Sequence, residues 1–307
     1  MSTKEKDYTR QINKVIDYIY ANLDKQLTVE ELAAQISLSS YHFHRIFSST
    51  MGEPLAKYVL RRRLERAASL LLSDVSAPVM NIAYECGFSS MNVFCRNFKR
   101  HFGMTAEEYR SNKLLQDSKN SSFKSIIDTN SRSYSRYFCS HKTLIVKGVT
   151  MNCTFEIKNL PAINIIYCRH QGALDQMQGA FAKLMQWAYP RGLVTAPEMK
   201  LISVYHDDPD ITAKDKLTAD AGMIVTKGVK AEGEIGQYEI SGGQYAIGRF
   251  EIAMEEFPAA WHAMFDLLKE HGCQCTNGHH YEIYQNNRDE HPEKKFIVDI
   301  CIPVKPL

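Results

Sequence analysis

The chain has 307 residues, enough for two domains that each bury a core of their own, and its 44% hydrophobic and 23% charged residues exclude disordered and collagen-like proteins. No stretch approaches the roughly 18 uncharged apolar residues of a membrane span. The net charge of +2 is unevenly divided: Lys and Arg against Asp and Glu number 16 to 12 over residues 1–113, 6 to 2 over 114–150 and 15 to 21 over 151–307. The basic front therefore predicts a polyanionic partner, whereas the acidic rear favours a neutral or cationic one.

The N-terminus and the cysteines indicate a reducing compartment. The opening MSTKEKDYTRQINK carries charges of both signs and no apolar run behind them, so we expect no secretory signal and a cytoplasmic location. The eight cysteines are scattered, mostly in apolar segments, as in reduced proteins. Cys273 and Cys275 lie near three histidines, but a C-x-C pair lacks the paired spacing of zinc sites. We expect neither a metal nor a cofactor.

The front of the chain is predicted to begin with three helices. Apolar residues recur at helical spacing from Ile12 to Leu23. Thr28 then caps a short helix, with Glu31 completing a capping box. After a turn at residues 37–39, a second short helix begins near Ser40 and ends at Gly52. Two short helices joined by a tight turn predict a helix-turn-helix.

The same arrangement is repeated after a longer helix. The segment LAKYVLRRRLERAASLLL has an apolar inner face and a strongly basic outer surface. A second pair of short helices follows, starting at Pro78, turning at Gly87 and continuing in a helix that Ser90 caps. An all-helical bundle with no ligand remains the alternative.

The rear of the chain follows a serine-rich connector. Nine of the thirty residues 111–140 are serine, which predicts a flexible basic linker over residues 113–151. Residues 152–307 then read twice as strand, helix, strand, strand, beginning at INIIYCRHQG and at GQYAIGRFE, with Tyr167 matching Tyr245 and Tyr205 matching Tyr284. We expect an α+β domain in which both copies share one antiparallel sheet, with helices on one face and a ligand-sized concave seam on the pseudo-symmetry axis.

The front half resembles the AraC/XylS-type transcription regulators. The stretch NIAYECGFSSMNVFCRNFKRHFGMTAEEYR resembles the signature of that family almost position by position, and Ala106 stands where the family usually has proline. The resemblance covers about residues 8–112 and implies an all-α double helix-turn-helix domain over residues 1–112 that binds double-stranded DNA.

The outer faces of the two second helices supply the candidate DNA contacts. A helix in the major groove needs hydrogen-bonding side chains near its N-terminus, opposite its apolar face. Arg45 and Arg96 can read guanine and Asn92 can pair with adenine, whereas His42 is assigned to the surface or to helix packing. We expect the helices to enter successive major grooves roughly 34 Å apart, on a target that need not be palindromic. The full candidate set is Ser39, Ser40, Tyr41, His44, Arg45, Ser89, Ser90, Met91, Asn92, Cys95, Arg96, Lys99 and Arg100.

The rear half resembles the GyrI-like (Rob-type) effector-binding domain over residues 152–307, through IIYCRHQG, VYHDDPD and YEIYQNN. In that family a glutamate late in the second repeat faces the pocket and meets cationic ligands, and it maps to Glu282. The first repeat has Ser203 at this position. A salt bridge or a solvent-facing position is the alternative for this carboxylate. The candidate aromatic walls, which core packing would equally explain, are Tyr167, Tyr205, Tyr245, Trp261 and Tyr284.

These patterns predict a sequence-specific transcription regulator that is not an enzyme. Its rear domain senses a small amphipathic molecule, neutral or cationic, and changes how the front domain meets DNA or RNA polymerase. Two rivals stay open. In the first alternative, the rear domain is a hydrolase with Glu282 as general base. In the second, it is a protein-interaction module whose seam is filled by its own side chains.

Overall fold

The computed structural model describes residues 3–112, 124–127, 140–146, 149–194, 199–226 and 228–306. The chain divides into two compact units. The first, here called the helical unit, consists of Met1–Asn120 with Asp208–Ala213 and Ala231–Gly236. The second, here called the sheet unit, consists of Ser121–Asp207, Lys214–Lys230 and Gln237–Leu307.

The helical unit contains the two predicted helix-turn-helix pairs, each a short helix followed by a twelve-residue helix. The first pair is α2 with α3 and the second is α5 with α6, so the predicted fold of this domain is confirmed. Its helices are α1 (Thr3–Ala21), α2 (Val29–Gln35), α3 (Ser40–Met51), α4 (Leu55–Ser73), α5 (Val79–Glu85), α6 (Met91–Phe102) and α7 (106–112).

Local capping explains where most of these helices begin and end. The capping box at the start of α2 is confirmed: Glu31 N–H donates to Thr28 Oγ1 at 3.2 Å, and Thr28 N–H donates to Glu31 Oε2 at 3.3 Å. Gly52 ends α3 in the left-handed conformation. The prediction that Ser90 caps α6 is only half right, because it occupies the N-cap position but its side chain makes no capping hydrogen bond.

Each helix-turn-helix has its own apolar core, and α4 contributes to both. Tyr58 packs with Phe43 and Phe47 in the first core, while Leu64 and Leu71 join the second core. These side chains are all buried, as the helical spacing predicted. Helix α4 therefore connects the two modules through continuous packing.

The predicted basic outer surface of α4 is wrong at two positions. Arg61 and Arg62 are buried. Arg61 donates to Glu53 at 2.7 Å and to Glu65 at 3.0 Å, and Arg62 donates to Glu65 at 3.1 Å. The guanidinium of Arg62 also lies 4.7 Å from the centroid of the Tyr20 ring. Two carboxylates and an aromatic face compensate the buried charges, which the charge count along one helix does not reveal.

The sheet unit is α+β, and its described strands form one eleven-stranded sheet ordered β1-β2-β3-β8-β11-β10-β5-β6-β4-β7, with β9 paired to β11. The strands are β1 (Lys124–Ile127), β2 (Ser140–Val146), β3 (Val149–Leu160), β4 (Ile163–Gln171), β5 (Leu201–Tyr205), β6 (Thr218–Val225), β7 (Gly236–Ile240), β8 (Gly243–Ile252), β9 (Cys273–Cys275), β10 (His280–Tyr284) and β11 (Phe296–Pro306). Helix α8 (Gln178–Ala188) follows β4, and α9 (Phe257–Glu270) follows β8. The predicted order of strand, helix, strand, strand is confirmed in both copies, and the second copy has the short β9 in addition, between α9 and β10.

The prediction of a flexible linker over residues 113–151 is wrong where the structure describes that range. Strands β1, β2 and the start of β3 pair in antiparallel register. Backbone hydrogen bonds hold these strands together, and such bonds are available to a serine-rich sequence as readily as to an apolar one. The rest of the predicted linker, 113–123, 128–139 and 147–148, lies outside the described residues.

Strand registers show how the two copies correspond. Glu282 on β10 lies directly opposite Ser203 on β5, so the central pair joins equivalent residues of the two copies. Arg169 opposite Asp220 in the first copy repeats as Arg249 opposite Asp299 in the second. The predicted match of Tyr167 with Tyr245 is therefore two residues out of register, since Tyr167 pairs with Gly222 as Ile247 pairs with Cys301.

Candidate DNA interface and ligand site

Helix α3 presents most of its predicted polar residues to solvent. Tyr41 is 80% exposed, and His44 and Arg45 are exposed on the same side, opposite Phe43 and Phe47. Ser40 is half-buried. The Ser39 hydroxyl accepts a hydrogen bond from His42 N–H at 3.3 Å, so it acts as the N-cap of the helix.

Helix α6 has a similar outer face, with one correction. Met91 is half-buried and packs against the second core, so the expectation that it projects outward is wrong. Met91 begins the helix, where its flexible side chain can fold back over the core. Of the remaining candidates Ser90 is half-buried, while the exposed residues are Ser89, Asn92, Cys95, Arg96, Lys99 and Arg100.

Val93 on α6 was not among the candidate contacts, although it lies on their face of the helix. This apolar side chain is 38% exposed and lies three residues before Arg96, on the same helical face. Apolar groups on a groove-facing surface contact the methyl group of thymine. The helical spacing from Arg96 was the available signal.

Arg100 donates to Asn97 Oδ1 at 2.7 Å, which orients its guanidinium along the helix.

Glu282 lies at the centre of the sheet unit and is fully buried. Three neutral donors surround its carboxylate. Trp261 Nε1–H on α9 donates to Oε1 at 2.6 Å, while the hydroxyls of Tyr205 and Tyr284 donate to Oε2 at 2.8 and 2.9 Å. The Ser203 hydroxyl lies 2.9 Å from the Tyr284 hydroxyl. The carboxylate therefore accepts three hydrogen bonds from these uncharged donors and forms an ion pair with none of them.

This environment shifts the acid–base chemistry of the site. Burial raises the pKa of Glu282, and the three hydrogen bonds lower it by less. Burial and the adjacent carboxylate raise the pKa of both Tyr205 and Tyr284 well above the usual value, so both phenols remain proton donors. Neither alternative for Glu282, a salt bridge or a solvent-facing position, describes what surrounds it.

Three of the five predicted aromatic walls lie at Glu282: Tyr205, Trp261 and Tyr284. The other two do not, and this is a correction. Tyr167 and Tyr245 belong to a core that includes Val204 and Tyr281. Since successive strand residues face opposite sides of a sheet, this core lies on the face away from Glu282. Side chains alternate between the two faces with a period of two residues, so the two-residue error in matching Tyr167 with Tyr245 does not change their face. Both were placed at the site because the sequence alone does not show which strand positions share a face with Glu282.

Two further residues complete the site and were not predicted as part of it. Ser203 is fully buried and was considered only as the repeat counterpart of Glu282. Phe181 on α8 has its ring centroid 6.1 Å from that of Tyr284. Both copies thus contribute to one site, because α8 belongs to the first repeat and Tyr284 to the second. The internal duplication was the signal that could have identified Ser203.

A second polar cluster occupies the opposite face of the sheet. Arg169 binds Asp220 through two hydrogen bonds of 2.8 Å, and His206 and Tyr238 contact the same carboxylate at 2.7 and 3.0 Å. Burial of Asp220 opposes its ionisation, but the charges of Arg169 and His206 prevail and lower its pKa. His279 stacks on Tyr238 at 5.2 Å between ring centroids. This cluster is a satisfied ion pair and explains why charged side chains are tolerated there.

Among the described residues, no group of three His, Cys, Asp or Glu side chains is arranged to hold a metal ion. Within the same residues, no helix is both long and apolar enough to cross a membrane.

Comparison with known proteins agrees with this architecture. Residues 154–305 match the GyrI-like small molecule binding domain, and residues 32–112 match a helix-turn-helix domain. The probable transcription factor PqrA of Proteus vulgaris is 34% identical over 109 residues, which cover 34% of this chain and 88% of PqrA. The chain belongs to the AraC/XylS-type transcription regulators. Both resemblances noted in the sequence are thereby confirmed.

Two other relatives of this AraC/XylS-type regulator match about a third of the chain. The Transposon Tn10 TetD protein of Escherichia coli is 35% identical over 109 residues, covering 36% of this chain and 78% of TetD. The uncharacterized HTH-type transcriptional regulator YbfP of Bacillus subtilis (strain 168) is 35% identical over 104 residues, covering 34% of this chain. The chain spans only 35% of the length of YbfP.

Proposed function

We propose that this protein regulates transcription by binding double-stranded DNA through α3 and α6, and that its sheet unit binds a small amphipathic cation at Glu282. The observation that carries the ligand assignment is a fully buried carboxylate surrounded by neutral donors. Burying a carboxylate without a cation costs several kcal/mol, which binding of a cation would offset.

Family membership and the exposed polar faces of α3 and α6 support the DNA-binding role. Arg45 and Arg96 are exposed on their helices, where a guanidinium can bind guanine O6 and N7 in bidentate fashion. Lys99 and Arg100 follow in the last turn of α6 and are suited to phosphate oxygens. In this proposal the two helices enter successive major grooves, roughly 34 Å apart, on one face of the DNA.

The aromatic residues around Glu282 support a cation with apolar substituents. The rings of Tyr205, Trp261 and Tyr284 surround the carboxylate, and such rings attract organic cations through their faces. A bound cation would replace the Trp261 donor at Oε1, which requires the indole to move. The ligand then changes regulation only if it binds one arrangement of the chain more tightly than another. RNA polymerase is the further partner that such a change would affect.

The test is a thermal-unfolding measurement on the full chain. Both tryptophans, Trp187 and Trp261, lie in the sheet unit, so tryptophan fluorescence follows its unfolding. Tetraphenylphosphonium is the cationic probe, and triphenylphosphine oxide is its neutral counterpart. We expect only the cation to raise the melting temperature, because a ligand that binds the folded state stabilises it.

Two variants make this measurement specific. Glu282→Gln removes the buried charge, and Glu239→Gln removes an exposed strand carboxylate in the same unit. The cation-dependent shift should vanish in the first and persist in the second. Equal shifts for both probes, or a shift that survives Glu282→Gln, would refute the cation assignment. Chemical conversion of a bound ester probe that depends on Glu282 would favour a hydrolase instead.

A further inference from the structure

Besides the two apolar cores that α4 shares, a polar junction at Arg63 connects the two helix-turn-helix modules. Arg63, on α4, donates from Nε to the carbonyl oxygen of Leu23 at 2.9 Å and from Nη2 to that of Lys25 at 2.5 Å. These carbonyls lie just after the end of α1, where no further helical turn supplies N–H donors for them. Arg63 therefore ties the end of α1 to the middle of α4.

The turn of the second module rests on this junction. Gly87 lies between α5 and α6 with φ of +81°. A Cβ atom at Gly87 would overlap the carbonyl oxygen of Leu23 and lie 2.9 Å from both Cζ and Nη2 of Arg63. The turn thus packs against the junction that Arg63 forms with Leu23, and the Leu23 carbonyl oxygen leaves no room there for a side chain.

The corresponding turn of the first module shows that backbone conformation alone does not require this glycine. Ser37 lies between α2 and α3 with φ of +56°. In this turn Leu38 N–H donates to the carbonyl oxygen of Ala33 at 3.0 Å. In the second module Phe88 N–H donates to the carbonyl oxygen of Ala83 at 3.1 Å in the same way. The two turns share one geometry, yet the first carries a side chain, which is exposed. Close approach to the Leu23 carbonyl oxygen, which Arg63 holds, is what distinguishes Gly87.

We propose that Arg63 is a positioning residue that sets the relative orientation of α3 and α6, and thereby the spacing between the two DNA half-sites that the protein accepts. Long helices are rarely straight, so α4 alone fixes the two modules less firmly than α4 together with a second contact away from its axis. Helix α6 begins at Met91, directly after the Gly87 turn, so a shift of this turn moves the start of the recognition helix. Arg66, one turn further along α4, adds an ion pair to Glu85 of α5 at 3.9 Å.

This inference rests on the proposed DNA-binding function, and its test separates the two. The full chain first selects duplexes from a random-sequence library. Binding is then measured on the selected duplex, on duplexes with one base pair added or removed between the half-sites, and on each half-site alone. Each added base pair rotates one half-site about the DNA axis relative to the other, so a rigid pair of modules discriminates against it.

Three variants are compared with the wild type. Gly87→Ser introduces the residue that the first module tolerates, Arg63→Lys keeps the charge but removes the forked contact, and Ser37→Gly is the matched control. We expect the wild type and Ser37→Gly to lose about tenfold in affinity per base pair of altered spacing. Gly87→Ser and Arg63→Lys should lose less than about threefold, with unchanged binding to single half-sites and unchanged salt dependence.

The outcomes are distinct. If Arg63→Lys and a folded Gly87→Ser both keep the wild-type preference for one spacing, Arg63 does not position the modules. If Gly87→Ser does not fold, Arg63→Lys alone decides the question. If the wild type selects no duplex, the proposed DNA-binding function is itself wrong and this inference falls with it.

Discussion

The indole N–H of Trp261 donates to Oε1 of Glu282 at 2.6 Å, while both phenols at the site donate to Oε2. Trp261 is half-buried, whereas Glu282 is fully buried. The indole thus occupies Oε1, while the two phenols occupy Oε2. A ligand that reaches Oε1 must displace it, so this tryptophan reports directly on the site.

We expect tetraphenylphosphonium to change the emission of Trp261. The variant Trp187→Phe leaves Trp261 as the sole tryptophan. Displacing the indole from a buried carboxylate changes the polarity around its ring, so the emission maximum should shift as the probe is titrated. The reverse variant, Trp261→Phe, keeps Trp187 and should show no shift. Identical responses in the two variants would mean that the probe binds elsewhere.

The raised pKa of Glu282 makes the stability of the sheet unit depend on pH. A carboxyl group whose pKa is higher in the folded state contributes stability that is present at low pH and lost as pH rises through that pKa. Glu282→Gln stays neutral throughout. Its melting temperature should therefore exceed that of the wild type by more at about pH 8 than at about pH 5.

Cation binding should follow the opposite trend with pH. The probe binds the ionised form of Glu282, so its affinity should rise as pH passes through the raised pKa. Titrations of the full chain followed by Trp261 emission would measure this. An affinity independent of pH would exclude Glu282 as the group that pairs with the cation.

Arg45 and Arg96 occupy the sixth position of α3 and α6, and each should determine one base in its own half-site. We expect Arg45→Ala and Arg96→Ala each to lose about 1–3 kcal/mol of discrimination at a single base pair, in different half-sites. Lys99→Ala is the control. It should weaken binding to all sequences equally and lower the salt dependence by about one phosphate contact. Full base discrimination in both arginine variants would contradict the assignment.

The repeated Arg–Asp pairs offer a matched test of burial. Both aspartates are buried, but Arg169 is buried with Asp220, whereas the side chain of Arg249, the partner of Asp299, is 54% exposed. We expect Asp220→Asn to lower the free energy of unfolding by about 3–5 kcal/mol, because a buried arginine loses its counter-charge. Asp299→Asn should cost about 1 kcal/mol or less. Urea unfolding followed by tryptophan fluorescence measures both, and equal losses would refute the role of burial.

Much of the helical unit was predictable because the sequence features that set its helices act over only a few residues. The capping box of Thr28 and Glu31, the stop at Gly52 and the spacing of Phe94 and Phe98 act within a few residues. Arg61 and Arg62 were misplaced because their partners, Glu53 and Tyr20, lie on other segments. Helical periodicity identifies an apolar face, but it does not show which charges another segment neutralises.

The ligand site also has a part that the sequence predicted and a part that it did not. Glu282 could be singled out from the sequence because the repeat has Ser203 in its place, so the carboxylate is not needed to build the strand. The residues that donate hydrogen bonds to Glu282 could not be identified from the sequence in the same way. Trp261 reaches it from α9, and Tyr167 and Tyr245 fall on the opposite face, because strand register and helix packing decide which side chains meet.

The sequence by itself determined the double helix-turn-helix, the duplicated α+β domain and the family, since these follow from spacing, capping and motifs carried along the chain. Only the tertiary structure decided that residues 140–146 form a strand, that Glu282 is held by three neutral donors, and that Gly87 lies against Leu23 and Arg63. Each of these depends on contacts between segments distant in sequence, where burial and close approach set the energy and no local pattern records them.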